Sequence, residues 1–195
     1  MAGAFPLYIL SGGQSARFGS NKALAELRGK PLIAQVAEQF QRFASRTVVI
    51  ANDPVPYFSL GVPIIPDIYP GLGPISGLHA ACGHMHGDGY FWLAGCDTLL
   101  RDPGELAALA VHAEGAAKAI AYKGEFWEPL PALYHGSILR VVESQIEEGE
   151  RALWRVIEKV AHKVLEAHGG VIAHINTRQD LERFAAELPA DEPGT

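Results

Sequence analysis

The sequence predicts an α/β protein with a Rossmann-like, doubly wound, mostly parallel sheet and helices on both faces. Three observations predict it. Short apolar runs alternate with longer stretches of helical period. The runs are brief and apolar or β-branched, as buried strands are. No internal repeat or low-complexity linker breaks the alternation. Strands alternating with helices imply crossover connections and a sheet covered on both sides.

The elements follow in order. "FPLYIL" (5–10) reads as a buried strand. "PLIAQVAEQFQRFA" carries Leu32, Ile33, Val36, Phe40 and Phe43 on one helical face, with Pro31 suited to the first helical position. "TVVIA" (47–51) is a strand, "ISGLHAACGHM" a helix, "YFWLAGC" (90–96) a buried strand and "GELAALAVHA" a helix. "AKAIAY" and "LPALY" are strands, and "SILRVVESQIEEG" and "RALWRVIEKV" are amphipathic helices. "GVIAHI" is a final strand and "RQDLERFAAEL" a final helix. In such sheets ligands bind at the carboxyl ends of the strands, at a topological switch point. The segment after the first strand is therefore the expected site.

With 195 residues, 48% of them hydrophobic, the chain suits one compact domain over 1–188, with a polar tail at 189–195. A net charge of -6 without a basic cluster argues against nucleic acid as partner. A nucleotide needs only two or three local cations. Cys82 and Cys96 form no Cys-x-x-Cys pair and suggest a reducing compartment. The N-terminal "MAGAFPLYIL" lacks a charged n-region and is too short to span a membrane. The expectation is a cytoplasmic protein with no membrane partner.

The segment "SGGQSARFGSNK" (11–22) is glycine-rich and carries two cations. It is neither a P-loop, since Lys22 does not follow Gly19 directly, nor G-x-G-x-x-G, since Gly12 and Gly13 are adjacent. Its chemistry still suits phosphate. Gly12 and Gly13 let backbone N–H groups approach an anion, Arg17 can fork onto phosphate oxygens, and Lys22 supplies a point charge. The alternative is an ordinary glycine turn with two solvated cations.

"LSGGQSARFGSNKALAELRGKPLI" resembles the signature loop of nucleotidyltransferases, and most closely that of the molybdenum cofactor guanylyltransferases. It departs from their pattern at Ser11 for alanine, Phe18 for methionine and Asn21 for aspartate. Further blocks resemble the family in the same order: "VVIANDP", "IIPDIYPGLGPISGLHAA", "WLAGCDTLL", "EPLPALYH" and "HINTRQDLERF". The resemblance implies transfer of GMP from GTP to molybdopterin with release of pyrophosphate. It also implies a nucleotide site that includes Leu10, Ser11, Gly12, Gly13, Lys22, Asn52, Asp67, Gly71, Gly73 and Asp97.

Asp97 ends a buried apolar run, where in the family register it would hold Mg²⁺. That ion favours one or two carboxylates plus substrate phosphates. A helix N-cap or strand-end turn is the structural alternative. Arg17, Lys22 and Asp97 are the expected catalytic set. Asp67 could accept both the N1–H and the 2-amino group of guanine, or form an Asx-turn. Asn52 is a nucleotide contact by resemblance, or a strand-end turn residue. Gly71, Gly73 and Gly77 suit a loop lying flat against a base or ribose, or simple closure onto the next helix. His174 and Asn176 share one face of the last strand. The family has asparagine at both places, on the acceptor side. His84 and His86 lack a third metal ligand and read as solvated surface; Phe126 and Trp127 read as core rather than a pterin platform. The rival readings are cytidylyl transfer to the same pterin, activation of a sugar phosphate, or a non-catalytic nucleotide-binding protein that delivers cofactor. Molybdoenzymes or their chaperones are the expected protein partners.

Overall fold

In the computed structural model, residues 4–11, 18, 21–87, 89–167 and 170–188 are described. Strand β1 (Phe5–Leu10) leads into the glycine-rich segment, and β2 (Glu26–Leu27) and β3 (Lys30–Pro31) form a small hairpin before α1 (Leu32–Gln39). Then come β4 (Ala44–Ile50), β5 (Ile64–Ile65), α2 (Pro74–His84), β6 (Tyr90–Gly95), β7 (Thr98–Leu100) and α3 (Glu105–Ala110). The chain continues through β8 (Ala119–Lys123), β9 (Trp127–His135), α4 (Leu139–Glu147) and α5 (Leu153–Lys159). It closes with β10 (His162–Glu166), β11 (Ile172–His174) and α6 (Arg178–Glu187).

Seven strands form one sheet in the order β10-β8-β9-β6-β1-β4-β5. β1 lies parallel to β4 and β6, β4 to β5, and β8 to β10. Only β9 runs against its neighbours, because three residues connect it to β8, enough for a hairpin and far too few for a crossover. The mostly parallel, two-faced architecture read from the sequence is the one observed.

Period-two alternation divides the core in two. Leu7, Ile9, Val49, Trp92 and Ala94 face α1, α3 and α6, meeting Ile33, Val36, Leu106, Leu109 and Phe184. Tyr8, Val48, Ile50, Phe91 and Leu93 face α2, α4 and α5, meeting Leu78, Cys82, Val142, Val156 and Ile157. The central strands are thus buried on both sides, which is why they read as continuous apolar runs.

The structure adds the short strands β2, β3 and β7, which the sequence reading does not include, and differs from it at two further elements. The strand expected over 170–175 does not join the main sheet; β11 pairs antiparallel with β7, Ile172 opposite Leu100 and His174 opposite Thr98. β10 gave no apolar signal because it is an edge strand, exposed at His162, Lys163, Val164 and Glu166.

From β1 the chain builds outward through β4 and β5, then returns to place β6 on the other side of β1. The switch point lies between β1 and β6. Gly77 lets α2 approach there, since a Cβ at this position would sit 2.3 Å from Leu10 Cδ2. Beneath the switch point, Phe40 meets Trp92 edge-on with ring centroids 5.4 Å apart, both fully buried. Phe40→Ala is expected to cost about 3–5 kcal/mol, seen as a lower urea midpoint with an unchanged slope.

Candidate active site

The ends of β1 and β6 are tied together at the switch point. Ser11 N–H donates to Ile50 O at 2.9 Å, and Cys96 N–H donates to Leu10 O at 3.0 Å. Beyond β6, Asp97 turns back over the strand end. Gly95 permits this, because a Cβ there would lie 2.6 Å from Asp97 Oδ1. Asp97 Oδ2 forms an ion pair with Lys22 Nζ, and the two side chains are only 26% and 16% exposed. Lys22 Nζ also donates to Asn176 Oδ1 at 3.1 Å, and Thr98 Oγ1 donates to Asp97 Oδ1 at 3.2 Å.

Asn176 is aimed by the start of α6. Thr177 Oγ1 accepts from Asp180 N at 3.1 Å, and Asp180 Oδ2 accepts from Thr177 N at 2.9 Å and Asn176 N at 3.1 Å. This is a capping box. The Thr177 hydroxyl is the first cause holding the Asp180 carboxyl below its ordinary range. Ile175 N–H donates to the Asp97 carbonyl at 2.9 Å, so the chain around β11 is fastened to the end of β6. Beside it, His174 Nε2 meets Glu128 Oε2 at 2.9 Å. That hydrogen bond raises the imidazole above its usual value against the opposing effect of desolvation; Asp97 adds to the rise and Lys22 offsets it.

The loop after β5 is held from within. Asp67 N–H donates to Asn52 Oδ1 at 2.9 Å, Tyr69 N–H to Asp67 Oδ1 at 2.9 Å, and Ser76 Oγ to Asp67 Oδ2 at 2.5 Å. The Asx-turn considered for Asp67 is present, and it leaves each carboxylate oxygen one further lone pair. Gly71 and Gly73 take φ of +85° and +78°, where a Cβ would be strained.

A family model for the MobA-like NTP transferase domain matches residues 7–165. The chain belongs to this family. It is a nucleotidyltransferase. The chain is 28% identical over 182 residues to a probable molybdenum cofactor guanylyltransferase of Aquifex aeolicus, covering 92% of this chain and 89% of that one. It is 30% identical over 187 residues to the molybdenum cofactor guanylyltransferase of Shewanella sp. strain MR-4, covering 92% and 94%. Among solved structures, molybdopterin-guanine dinucleotide biosynthesis protein A from Archaeoglobus fulgidus superposes with a TM-score of 0.76 at 28% identity, covering 93% of this chain and 97% of that one.

In this MobA-like chain the fold brings Leu10, Ser11, Lys22, Asp97, His174 and Asn176 to one end of the sheet, with Asn52, Asp67, Gly71 and Gly73 at the carboxyl ends of β4 and β5. Gly12, Gly13 and Arg17 lie outside the described residues. Sequence reading missed Glu128 and Ser76, whose contacts with His174 and Asp67 are made by the fold and carry no local signal. Two expectations need correction. Phe126 is 73% exposed at the β8–β9 connection, whereas Trp127, half-buried beneath Lys123 Nζ at 4.5 Å from its ring centre, packs against the margin of the core. His84 is not free surface but sits 2.7 Å through Nδ1 from the Tyr8 hydroxyl, whereas His86 is exposed.

Both thiols are pushed up to about 12 by burial, so neither Cys82 nor Cys96 offers a thiolate at neutral pH. Among the described residues no cluster of three or more His, Cys, Asp or Glu could hold a metal, and no helix is long and apolar enough to cross a membrane.

The His174–Glu128 pair generates a pH test. His174 should titrate above the ordinary imidazole value of about 6.5 in an NMR titration of its ring protons, and Glu128→Gln should return it toward that value. Because the folded pKa is the raised one, the pair's stabilisation is complete below the unfolded pKa and is lost as pH rises through the folded pKa.

Proposed function

We propose that the protein transfers GMP from GTP to the phosphate of molybdopterin, forming the guanine dinucleotide cofactor and pyrophosphate. The observation that carries this reading is the Lys22–Asp97–Asn176 cluster at the β1–β6 switch point of a MobA-like chain. The names of its relatives, guanylyltransferases, favour this over cytidylyl transfer, sugar-phosphate activation or non-catalytic delivery.

The acceptor oxygen belongs to a phosphate monoester whose second pKa is about 6. It is already ionised near neutrality and needs no general base. It attacks the α-phosphorus of GTP in line. A new P–O–P bond forms, the bond from the α-phosphorus to the bridging oxygen breaks, and pyrophosphate leaves with the electron pair. The protein's work is placement and charge neutralisation. Lys22 and Arg17 meet the triphosphate. Asp97 would hold a divalent cation, taken here to be Mg²⁺, which when bound neutralises charge on the α-phosphate and the leaving group. His174 and Asn176 lie toward the acceptor. Asn52, Asp67, Gly71 and Gly73 take the nucleoside, with Asp67 reading guanine through its remaining lone pairs. By the family resemblance, Gly12 and Gly13 would offer backbone donors to the phosphates.

Pyrophosphate release with GTP, CTP, ATP and UTP, each with molybdopterin and Mg²⁺, tests the reaction. Turnover with GTP alone is expected, and a preference for CTP or no turnover at all would overturn it. Asp97→Asn should still fold, with a melting temperature lowered by the loss of the partner of Lys22, yet lose several kcal/mol of transition-state stabilisation, a fall of about a thousandfold or more in turnover at a temperature where the variant is folded. Near-normal turnover would remove Asp97 from the metal role.

Base reading has its own test. Inosine triphosphate lacks the 2-amino group and should bind roughly 1.5–3 kcal/mol more weakly than GTP. Asp67→Asn should erase most of that preference while leaving free pyrophosphate binding unchanged. If Asp67 only forms the turn, all nucleotides weaken together.

A further inference from the structure

Tyr57 lies on the 3-10 turn Val55–Leu60 that follows β4, and it is only 4% exposed. Its ring belongs to the core on the α1 side of the sheet. An apolar site of that kind accepts phenylalanine more readily than a phenol, whose hydroxyl is costly to bury without partners. Here the hydroxyl has two. It accepts from Ser11 Oγ at 2.7 Å and from Asn21 Nδ2 at 3.0 Å, which fills both of its lone pairs.

Those partners stand on opposite flanks of the glycine-rich segment. Ser11 is the first residue beyond β1, and Asn21 directly precedes Lys22. Asn21 also caps the turn Lys22–Leu24, its Oδ1 accepting from Ala23 N at 3.1 Å. A single buried oxygen thus fixes where the segment leaves the sheet and where it returns. Through the capped turn it also fixes the backbone that carries Lys22.

We propose that Tyr57 is a positioning residue, whose hydroxyl clasps Ser11 to Asn21 and so places Lys22 for the nucleotide's phosphates before the nucleotide arrives. The proposal rests on the reading of Lys22 as a phosphate-binding residue. Placement made in advance lowers the ordering cost of binding. It acts on the triphosphate and not on the base.

Tyr57→Phe keeps the ring and removes only the clasp. By calorimetry its affinity for GTP and for pyrophosphate should fall about five- to twentyfold, while guanosine changes less than about twofold. Amide exchange across 21–24 should quicken, and KM for GTP should rise more than kcat falls. Ser11→Ala cuts one arm of the clasp while leaving the Tyr57 ring in place, and serves if Tyr57→Phe folds poorly. It should show the same selectivity for the phosphates, and its loss should be less than additive with Tyr57→Phe. Equal weakening of GTP and guanosine, strict additivity, or unchanged exchange at 21–24 overturns the clasp and leaves Tyr57 a core residue. Lys22→Ala, measured alongside, separates the two readings. If it weakens guanosine as much as GTP, the phosphate role of Lys22 fails, while faster exchange in Tyr57→Phe still supports the clasp as a device of backbone placement.

Discussion

The ion pair between Lys22 and Asp97 is the constraint around which the rest of the site is arranged. Two opposite charges this shielded are stable only as partners, and removing either leaves the other poorly solvated. A nucleotide with its cation suits such a pair. Under the proposed function the phosphates would bring negative charge to Lys22 and a divalent cation would bring positive charge to Asp97, so neither group would be stranded when they exchange partners. The surrounding structure keeps both side chains in reach of that exchange. Gly95 lets Asp97 fold back, Asn176 holds Lys22 from the far side, and the Thr177–Asp180 box aims Asn176.

The sheet order explains why these residues meet. Helices on both faces make the central strands fully buried, so polar chemistry can emerge only at strand ends. At the β1–β6 switch point the chain leaves β1 for β4, toward one edge of the sheet, and leaves β6 for β8 and β9, toward the other. The small β7–β11 sheet then brings His174 to the same end. The cleft lined by Gln35, Gln39, Arg42, Phe43 and Asp102 lies toward the amino end of β1, where Phe43 O receives Phe5 N–H, and takes no part in the site.

The chemistry matches what the site lacks as well as what it holds. Both thiols are held protonated, and the imidazole of His174 is engaged with Glu128. Transfer between phosphates requires neither a nucleophile from the protein nor a strong base. A site that holds Lys22 and Asp97 suits such a transfer, because most of the barrier is electrostatic and positional. Fold alone would not have selected this reaction, since α/β sheets of this kind serve many chemistries.

Much was legible along the chain because it depends on local pattern. The apolar runs at 5–10 and 90–96 had to be buried strands, and the alternation with helices had to give a covered, mostly parallel sheet. The glycine and cation pattern at 11–22 pointed to a phosphate loop or an ordinary glycine turn, and Asp97 stood out by following a buried strand. What tertiary structure alone decided was partnership. β10 is an edge strand with no apolar run to reveal it, and the last strand left the main sheet for β7, because pairing depends on neighbours distant in sequence. Asp67 and Asn52 proved to hold each other's loop, His174 proved to have Glu128, and the Tyr57 hydroxyl proved to join Ser11 to Asn21. Hydrogen bonds across tens of residues leave no periodicity in the sequence. They exist only once the hydrophobic pattern has folded the chain and brought their ends within 3 Å or so of each other.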